Sequence, residues 1–164
     1  MKKRIIALGL LWCLSAVMLQ AARVDTVLVR SAAMNKDVKV VYVLPDKAIG
    51  KQACPVVYLL HGYGGNARSW VQLKPELPQM ADEKGIIFVC PDGKNSWYWD
   101  SPENPAYRYE TFVTSELVKY TDGNYATIPD RKARAISGLS MGGHGALWLS
   151  LIHISEPTRQ AEIS

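Results

Sequence analysis

The chain has 164 residues, 48% of them hydrophobic, which sets one domain with a substantial core as the expectation. Its formal charge is +4, and Lys2, Lys3 and Arg4 carry three of those charges, leaving +1 on the rest. That balance excludes the electrostatic footprint of a nucleic-acid binder, so no nucleic-acid partner is expected.

Residues 1–22 read as a secretory signal peptide. Lys2-Lys3-Arg4 forms the basic start and Ile5 to Leu19 the apolar stretch. Ala21 and Ala22 offer small residues for cleavage. The apolar run is short for a membrane span, and the bulky Trp12 argues against lipid attachment at Cys13. The expected location is periplasmic or secreted, with no stable membrane association after cleavage. Residues 23–148 then form one partial domain.

That domain opens with two Val-rich segments, Val24 to Arg30 and Val38 to Leu44, ended by Ser31 and Pro45. They predict an antiparallel pair. Cys54 to Leu60 is a continuous apolar run, the pattern of a strand buried on both faces in a parallel sheet. Ala67 to Leu73 and Leu77 to Lys84 predict short helical pieces broken by Pro75 and Pro78 and closed by Gly85. Ile86 to Cys90 predicts a second buried strand, ended by Pro91-Asp92-Gly93, and Glu110 to Tyr120 an amphipathic helix. This alternation indicates an α/β fold with a mostly parallel, doubly wound sheet. Cys54 and Cys90 fall at opposite ends of neighbouring strands. Several residues of offset at about 3.3 Å each place them beyond disulfide reach.

Two motifs carry chemistry. Gly138-Leu139-Ser140-Met141-Gly142 is a G-x-S-x-G sequence between an apolar run (Ala133 to Ile136) and a run of small residues leading into Ala146-Leu147-Trp148. Strand, sharp turn and helix is the context a nucleophile elbow needs. Ser140 at its tip is the candidate nucleophile. Gly138 and Gly142 are expected to lack a Cβ because neighbours two residues away crowd the serine. The Met141 N–H, at the start of the helix, is a candidate oxyanion donor. Upstream, His61-Gly62-Tyr63-Gly64-Gly65 follows a predicted central strand. A glycine-rich turn there brings backbone close to a ligand, and the Tyr63 N–H is the second candidate donor. His61 precedes the turn and is expected to be structural. Trp97-Tyr98-Trp99 cannot all face one core, so Trp97 and Trp99 are candidate substrate-binding residues lining a cleft beside Ser140. No metal-ligand cluster or cofactor fingerprint is present in the sequence, so neither a metal nor a cofactor is expected.

The segment Leu59 to Trp148 resembles the esterase D-like branch of the α/β-hydrolases. The carrying residues are Leu60 to Gly65, Pro91-Asp92-Gly93, and Gly138 to Leu147. The branch includes S-formylglutathione hydrolases, feruloyl and acetyl-xylan esterases, and mycolyltransferases. The resemblance implies an acyl-ester hydrolase with Ser140 as nucleophile and the Tyr63 and Met141 amides as oxyanion hole. It covers only the N-terminal portion of the family's fold.

The family order is Ser, then Asp or Glu, then His, and only 24 residues follow Ser140. His144 lies on the elbow helix, pointing away from the hydroxyl. His153, Glu156 and Glu162 are the other candidates for base and acid. They lie in Leu149 to Ser164, whose first eleven residues resemble one reading frame of a transposon-end sequencing adapter. The expectation is that residues 149–164 are an artefactual tail and that the catalytic acid and histidine are absent. The chain as given is then inactive and poorly soluble. The substrate expected for the complete protein is a small-molecule or polysaccharide ester, hydrolysed through an acyl-enzyme on Ser140. Alternatives are an acyltransferase, an S-formylglutathione hydrolase-like thioesterase, or a non-catalytic carbohydrate-binding relative using Trp97 and Trp99.

Overall fold

Alternating burial decides how the sheet is covered. In strand β2 (Lys36–Leu44), Val40, Tyr42 and Leu44 enter one apolar cluster, and Val41 and Val43 enter another on the opposite face. Strands β3 (Val56–Leu60) and β4 (Ile87–Pro91) divide the same way. Val56, Tyr58, Leu60, Ile87 and Val89 face one side, and Leu59, Phe88 and Cys90 the other. A strand buried on both faces needs helices on both, and the sequence supplies them.

The structure, a computed structural model, describes residues 22–151. The expected signal peptide, apart from Ala22, and all but residues 149–151 of the expected tail lie outside the described residues. The five strands run in the order β1-β2-β4-β3-β5, with β1 at Arg23–Ser31 and β5 at Arg134–Gly138. β1 and β2 are antiparallel, as expected, and β2 is antiparallel to β4. β4, β3 and β5 are parallel. β1 is an edge strand whose outer face alternates apolar and polar residues, with Val24 38% and Leu28 63% exposed beside Thr26 and Arg30.

After the short helix α1 (Asp46–Ile49), the chain enters β3 at Val56, two residues later than the sequence indicated. Cys54 instead forms an isolated bridge with Thr127. Helices α2 (Ser69–Leu73) and α3 (Leu77–Lys84) follow β3, and α3 packs Leu77 and Ala81 on one face of the sheet. Pro78 does not break α3. It sits in the first turn, where a missing N–H costs no helical bond. Gly85 ends the helix at φ 64°, as expected.

The helix expected at Glu110 to Tyr120 is longer and interrupted. It runs as α4 (Tyr109–Thr111), a π-helical turn (Phe112–Glu116) and α5 (Leu117–Asn124). Phe112, Val113 and Leu117 cover the second face of the sheet. Glu116 fastens this helix to the β1–β2 hairpin by accepting from the Ser31 hydroxyl at 2.6 Å and the Ala33 N–H at 2.9 Å. Helix α6 (Met141–Leu149) packs Met141, Ala146 and Leu149 into the same cluster.

Cys54 and Cys90 are free and buried. Burial pushes the Cys90 thiol up to about 12, so it stays neutral. No helix among the described residues is long and apolar enough to cross a membrane.

Candidate active site

The turn between β5 and α6 is tight enough to exclude side chains. Leu139 N–H donates to the Leu60 carbonyl at 3.2 Å, and Gly142 N–H to the Leu139 carbonyl at 2.8 Å. These bonds hold Ser140 at φ 54°, ψ −117°, a conformation that costs a non-glycine residue about 1–3 kcal/mol. A Cβ on Gly138 would lie 2.1 Å from the Gly142 carbonyl oxygen, and one on Gly142 would lie 2.2 Å from the Leu60 oxygen. The crowding expected at these glycines is therefore real, but its source differs. They press on each other and on the end of β3, not on the serine. Ser140 occupies the N-cap position of α6, yet its side chain makes no capping bond. A serine there ordinarily turns back onto the helix; this one is exposed to solvent.

The glycine turn after β3 meets this elbow directly. A Cβ on Gly62 would stand 3.3 Å from the Leu139 oxygen and 3.6 Å from Ser140 Cβ. Gly64, at φ 75°, donates to Asn95 Oδ1 at 2.8 Å, and Gly65 N–H to the Gly62 carbonyl at 3.1 Å. Between them the Tyr63 side chain is 67% exposed. Neither the Tyr63 nor the Met141 N–H has a hydrogen-bond partner among the described residues.

His61 is buried and fixes the turn from beneath. Its Nε2 accepts the Gly93 N–H at 2.9 Å, which places the proton on Nδ1, 2.7 Å from the Gly62 carbonyl it donates to. The imidazole thus ties the glycine turn to the loop after β4. Asp92 Oδ1 stands 3.7 Å from Nε2, and Asp92 Oδ2 accepts from Lys94 Nζ at 2.8 Å. Burial pushes the Asp92 carboxyl up, but the Lys94 ammonium and backbone N–H outweigh it, leaving it well below the usual carboxylate range.

Of the three consecutive aromatics, Tyr98 is fully buried and its hydroxyl donates to the His61 carbonyl at 3.2 Å. Trp97 and Tyr98 both adopt positive φ, 57° and 60°, which turns alternate rings inward and outward. Trp97 is 48% exposed and packs edge-on against His144 on α6, with ring centroids 5.6 Å apart. It therefore borders the elbow helix. Trp99 is 55% exposed and its ring has no stacking or hydrogen-bonding partner among the described residues. The pair is not brought together into one platform. Tyr98 and Asp92 are the supporting residues that sequence reasoning passed over, although Asp92 sat in a quoted motif at a strand end.

Residues 31–157 match the family described as "Putative esterase". The chain belongs to this family. An acetyl esterase of Caldicellulosiruptor saccharolyticus is 30% identical over 125 residues, covering 71% of this chain and 46% of that protein. The solved structure of an S-formylglutathione hydrolase from Agrobacterium tumefaciens superposes with a TM-score of 0.71 at 29% identity, covering 80% of this chain and 53% of the other. A ferulic acid esterase structure superposes with a TM-score of 0.66 at 30% identity, covering 77% and 53%. The chain spans about half the length of these relatives. The fold is that of the α/β-hydrolase esterases, as the sequence indicated.

An esterase of this family needs a base for its nucleophile. Neither described imidazole makes a hydrogen bond to Ser140; His144 meets it only through its backbone N–H, which donates to the Ser140 carbonyl at 3.0 Å. His61 is locked between Gly62 and Gly93, and the His144 ring lies against Trp97. His153, Glu156 and Glu162 lie outside the described residues. Among the described residues no group of His, Cys, Asp or Glu side chains could hold a metal ion.

Proposed function

We propose that the protein is an exported serine carboxylic-ester hydrolase in which Ser140 is the nucleophile and the Tyr63 and Met141 amides form the oxyanion hole. One observation carries this reading: Ser140 sits strained, exposed and uncapped between a helix N-terminus and a glycine turn that packs against it. Ser140 Oγ attacks the ester carbonyl carbon as its proton passes to a general base. The carbonyl oxygen takes up negative charge and receives the two free N–H groups. Collapse expels the alcohol, which takes the proton, and water then hydrolyses the acyl-enzyme. The base, a histidine held by a carboxylate in this kind of mechanism, comes from outside the described residues.

The substrate reading is an acetyl or feruloyl ester of a polysaccharide. The names of the acetyl esterase and ferulic acid esterase relatives support it, as does the exposed Trp97 beside α6, which offers a face for a sugar or aryl ring. Export, to the periplasm or beyond, rests on Lys2-Lys3-Arg4 followed by Ile5 to Leu19.

The test uses the native protein purified from its source. Release of acetate from acetylated xylan and of ferulate from feruloylated arabinoxylan is measured beside hydrolysis of p-nitrophenyl acetate. The expected result is turnover lost by about 10⁴-fold or more in Ser140→Ala. Turnover that survives the substitution overturns the nucleophile assignment. Turnover confined to p-nitrophenyl acetate and thioesters overturns the polysaccharide reading alone.

A further inference from the structure

The amide of Tyr63 lies between two peptide units that are held in different ways. The Gly62 carbonyl and the Tyr63 N–H belong to one trans unit, so they point in opposite directions. His61 Nδ1–H and the Gly65 N–H both donate to that carbonyl, at 2.7 Å and 3.1 Å. They fix the plane at its carbonyl end and turn the N–H the other way. The next unit joins Tyr63 to Gly64. Its N–H donates to Asn95 Oδ1 at 2.8 Å. Its carbonyl, on Tyr63, has no hydrogen-bond partner among the described residues.

Packing adds little restraint on this second side. The Tyr63 side chain is 67% exposed, and apart from chain neighbours no atom lies within 4 Å of the place a Cβ on Gly64 would take. Gly64 stands at φ 75°, and glycine in open space moves between backbone conformations at little steric cost. The Asn95 carbonyl oxygen supplies what sterics do not.

Asn95 is itself presented by a fixed turn. Lys94 adopts φ 50° and its N–H donates to Asp92 Oδ1 at 3.1 Å. The Ser96 N–H closes the turn onto the Gly93 carbonyl at 3.3 Å, and the Gly93 N–H is held by His61 Nε2 at 2.9 Å. Two bonds therefore cross between the loop after β4 and the glycine turn, one from His61 beneath Tyr63 and one from Asn95 beyond it. The Asn95 side chain is exposed, so it carries no part of the core.

We propose that Asn95 is a positioning residue for ester hydrolysis: its Oδ1 holds the Gly64 N–H and thereby keeps the Tyr63 N–H aimed at the developing oxyanion. The two peptide planes meet at the Tyr63 Cα, so a Gly64 free to rotate displaces that Cα and the donor plane with it. A donor lowers the barrier only when it is in place before charge develops. Loss of the tie slows the chemical step without weakening substrate binding. This rests on the assignment of Ser140 and the Tyr63 amide above, and not on the polysaccharide reading.

Steady-state hydrolysis of p-nitrophenyl acetate by the native protein and its Asn95→Ala, Asn95→Asp and Ser140→Ala variants tests the proposal, with urea unfolding of each alongside. Asn95→Ala is expected to lower kcat about tenfold with KM unchanged, less than the loss from removing an oxyanion donor outright. Its urea midpoint stays close to the parent's. Asn95→Asp keeps an acceptor oxygen and loses the amide donors, and its kcat is expected to return to near the parent value. An unchanged kcat in Asn95→Ala, while Ser140→Ala is inactive, overturns the positioning role alone. A raised KM with kcat unchanged, or an Asn95→Asp variant as slow as Asn95→Ala, also overturns it, the first by making Asn95 a substrate contact. Turnover that survives Ser140→Ala removes the nucleophile assignment and this proposal together.

Discussion

The Tyr98 hydroxyl donates to the backbone carbonyl of His61 at 3.2 Å. This bond joins the aromatic loop to the residue that clamps the glycine turn. The Tyr98 ring is packed so closely that a Cβ on Gly93 or on Gly145 would fall 2.3 Å or 2.7 Å from it. One side chain therefore locks the loop after β4, the turn after β3 and helix α6 together. Burial raises the hydroxyl far above its ordinary range, so it remains a donor at every working pH. Tyr98→Phe is expected to cost about 1 kcal/mol in urea unfolding, and Tyr98→Ala about 3–5 kcal/mol. Similar losses in the two variants would mean that the hydroxyl, not the ring, carries the contribution.

Gly142→Ala tests the tightness of the elbow. The added methyl group meets the carbonyls of Leu60 and His61, which belong to backbone and cannot swing aside. A loss of about 3–5 kcal/mol is expected, read as a lowered urea midpoint. Gly143→Ala is the control, because its nearest atom, the Gly138 oxygen, is 3.3 Å away. Comparable destabilisation by both would contradict the geometry.

Strain at Ser140 predicts a gain in stability when the nucleophile is removed in one particular way. Glycine accepts φ 54°, ψ −117° without the steric cost that serine bears. Ser140→Gly is expected to be about 1 kcal/mol more stable than the parent, after glycine's own backbone entropy is set against the relief. Ser140→Ala keeps the strain and is expected to match the parent. Thermal or urea unfolding of the three side by side decides the matter, and a destabilised Ser140→Gly would show that the turn is not strained.

Asp92 gives the protein an acid-sensitive element. Its folded carboxyl lies below the range it has in the unfolded chain, so the unfolded state binds the proton more readily. The resulting stability is fully present above the unfolded value of about 4 and is lost as pH falls through it toward the lower folded value. Urea midpoints measured from pH 7 down to pH 3 are expected to fall more steeply for the parent than for Asp92→Asn. Parallel curves would remove Asp92 as the cause.

The elements themselves were legible along the chain because short-range patterns decide them. Alternation in Val38 to Leu44, the apolar runs before His61 and before Pro91, and the glycines around Ser140 each carry local steric instructions. Where prediction slipped, two physical options were locally equivalent. Pro78 can break a helix or begin one, and the choice falls to the first turn of α3, where its absent N–H is harmless. The expected helix around Glu110 gained a π turn because Phe112 and Leu117 both had to reach the sheet, a demand set by packing.

By itself, the sequence determined that Ser140 stands on a strand-to-helix turn, since Gly138 and Gly142 leave that stretch few other conformations. Only the tertiary structure decided what surrounds it. The strand order places β3 between β4 and β5, which brings Gly62 against Ser140. It also separated three adjacent aromatics into one buried brace and two exposed rings, through positive φ at Trp97 and Tyr98. Contacts of this kind join residues tens of positions apart, and no local periodicity records them. They follow from which strand lies beside which, a choice made by the burial of both faces of the sheet at once.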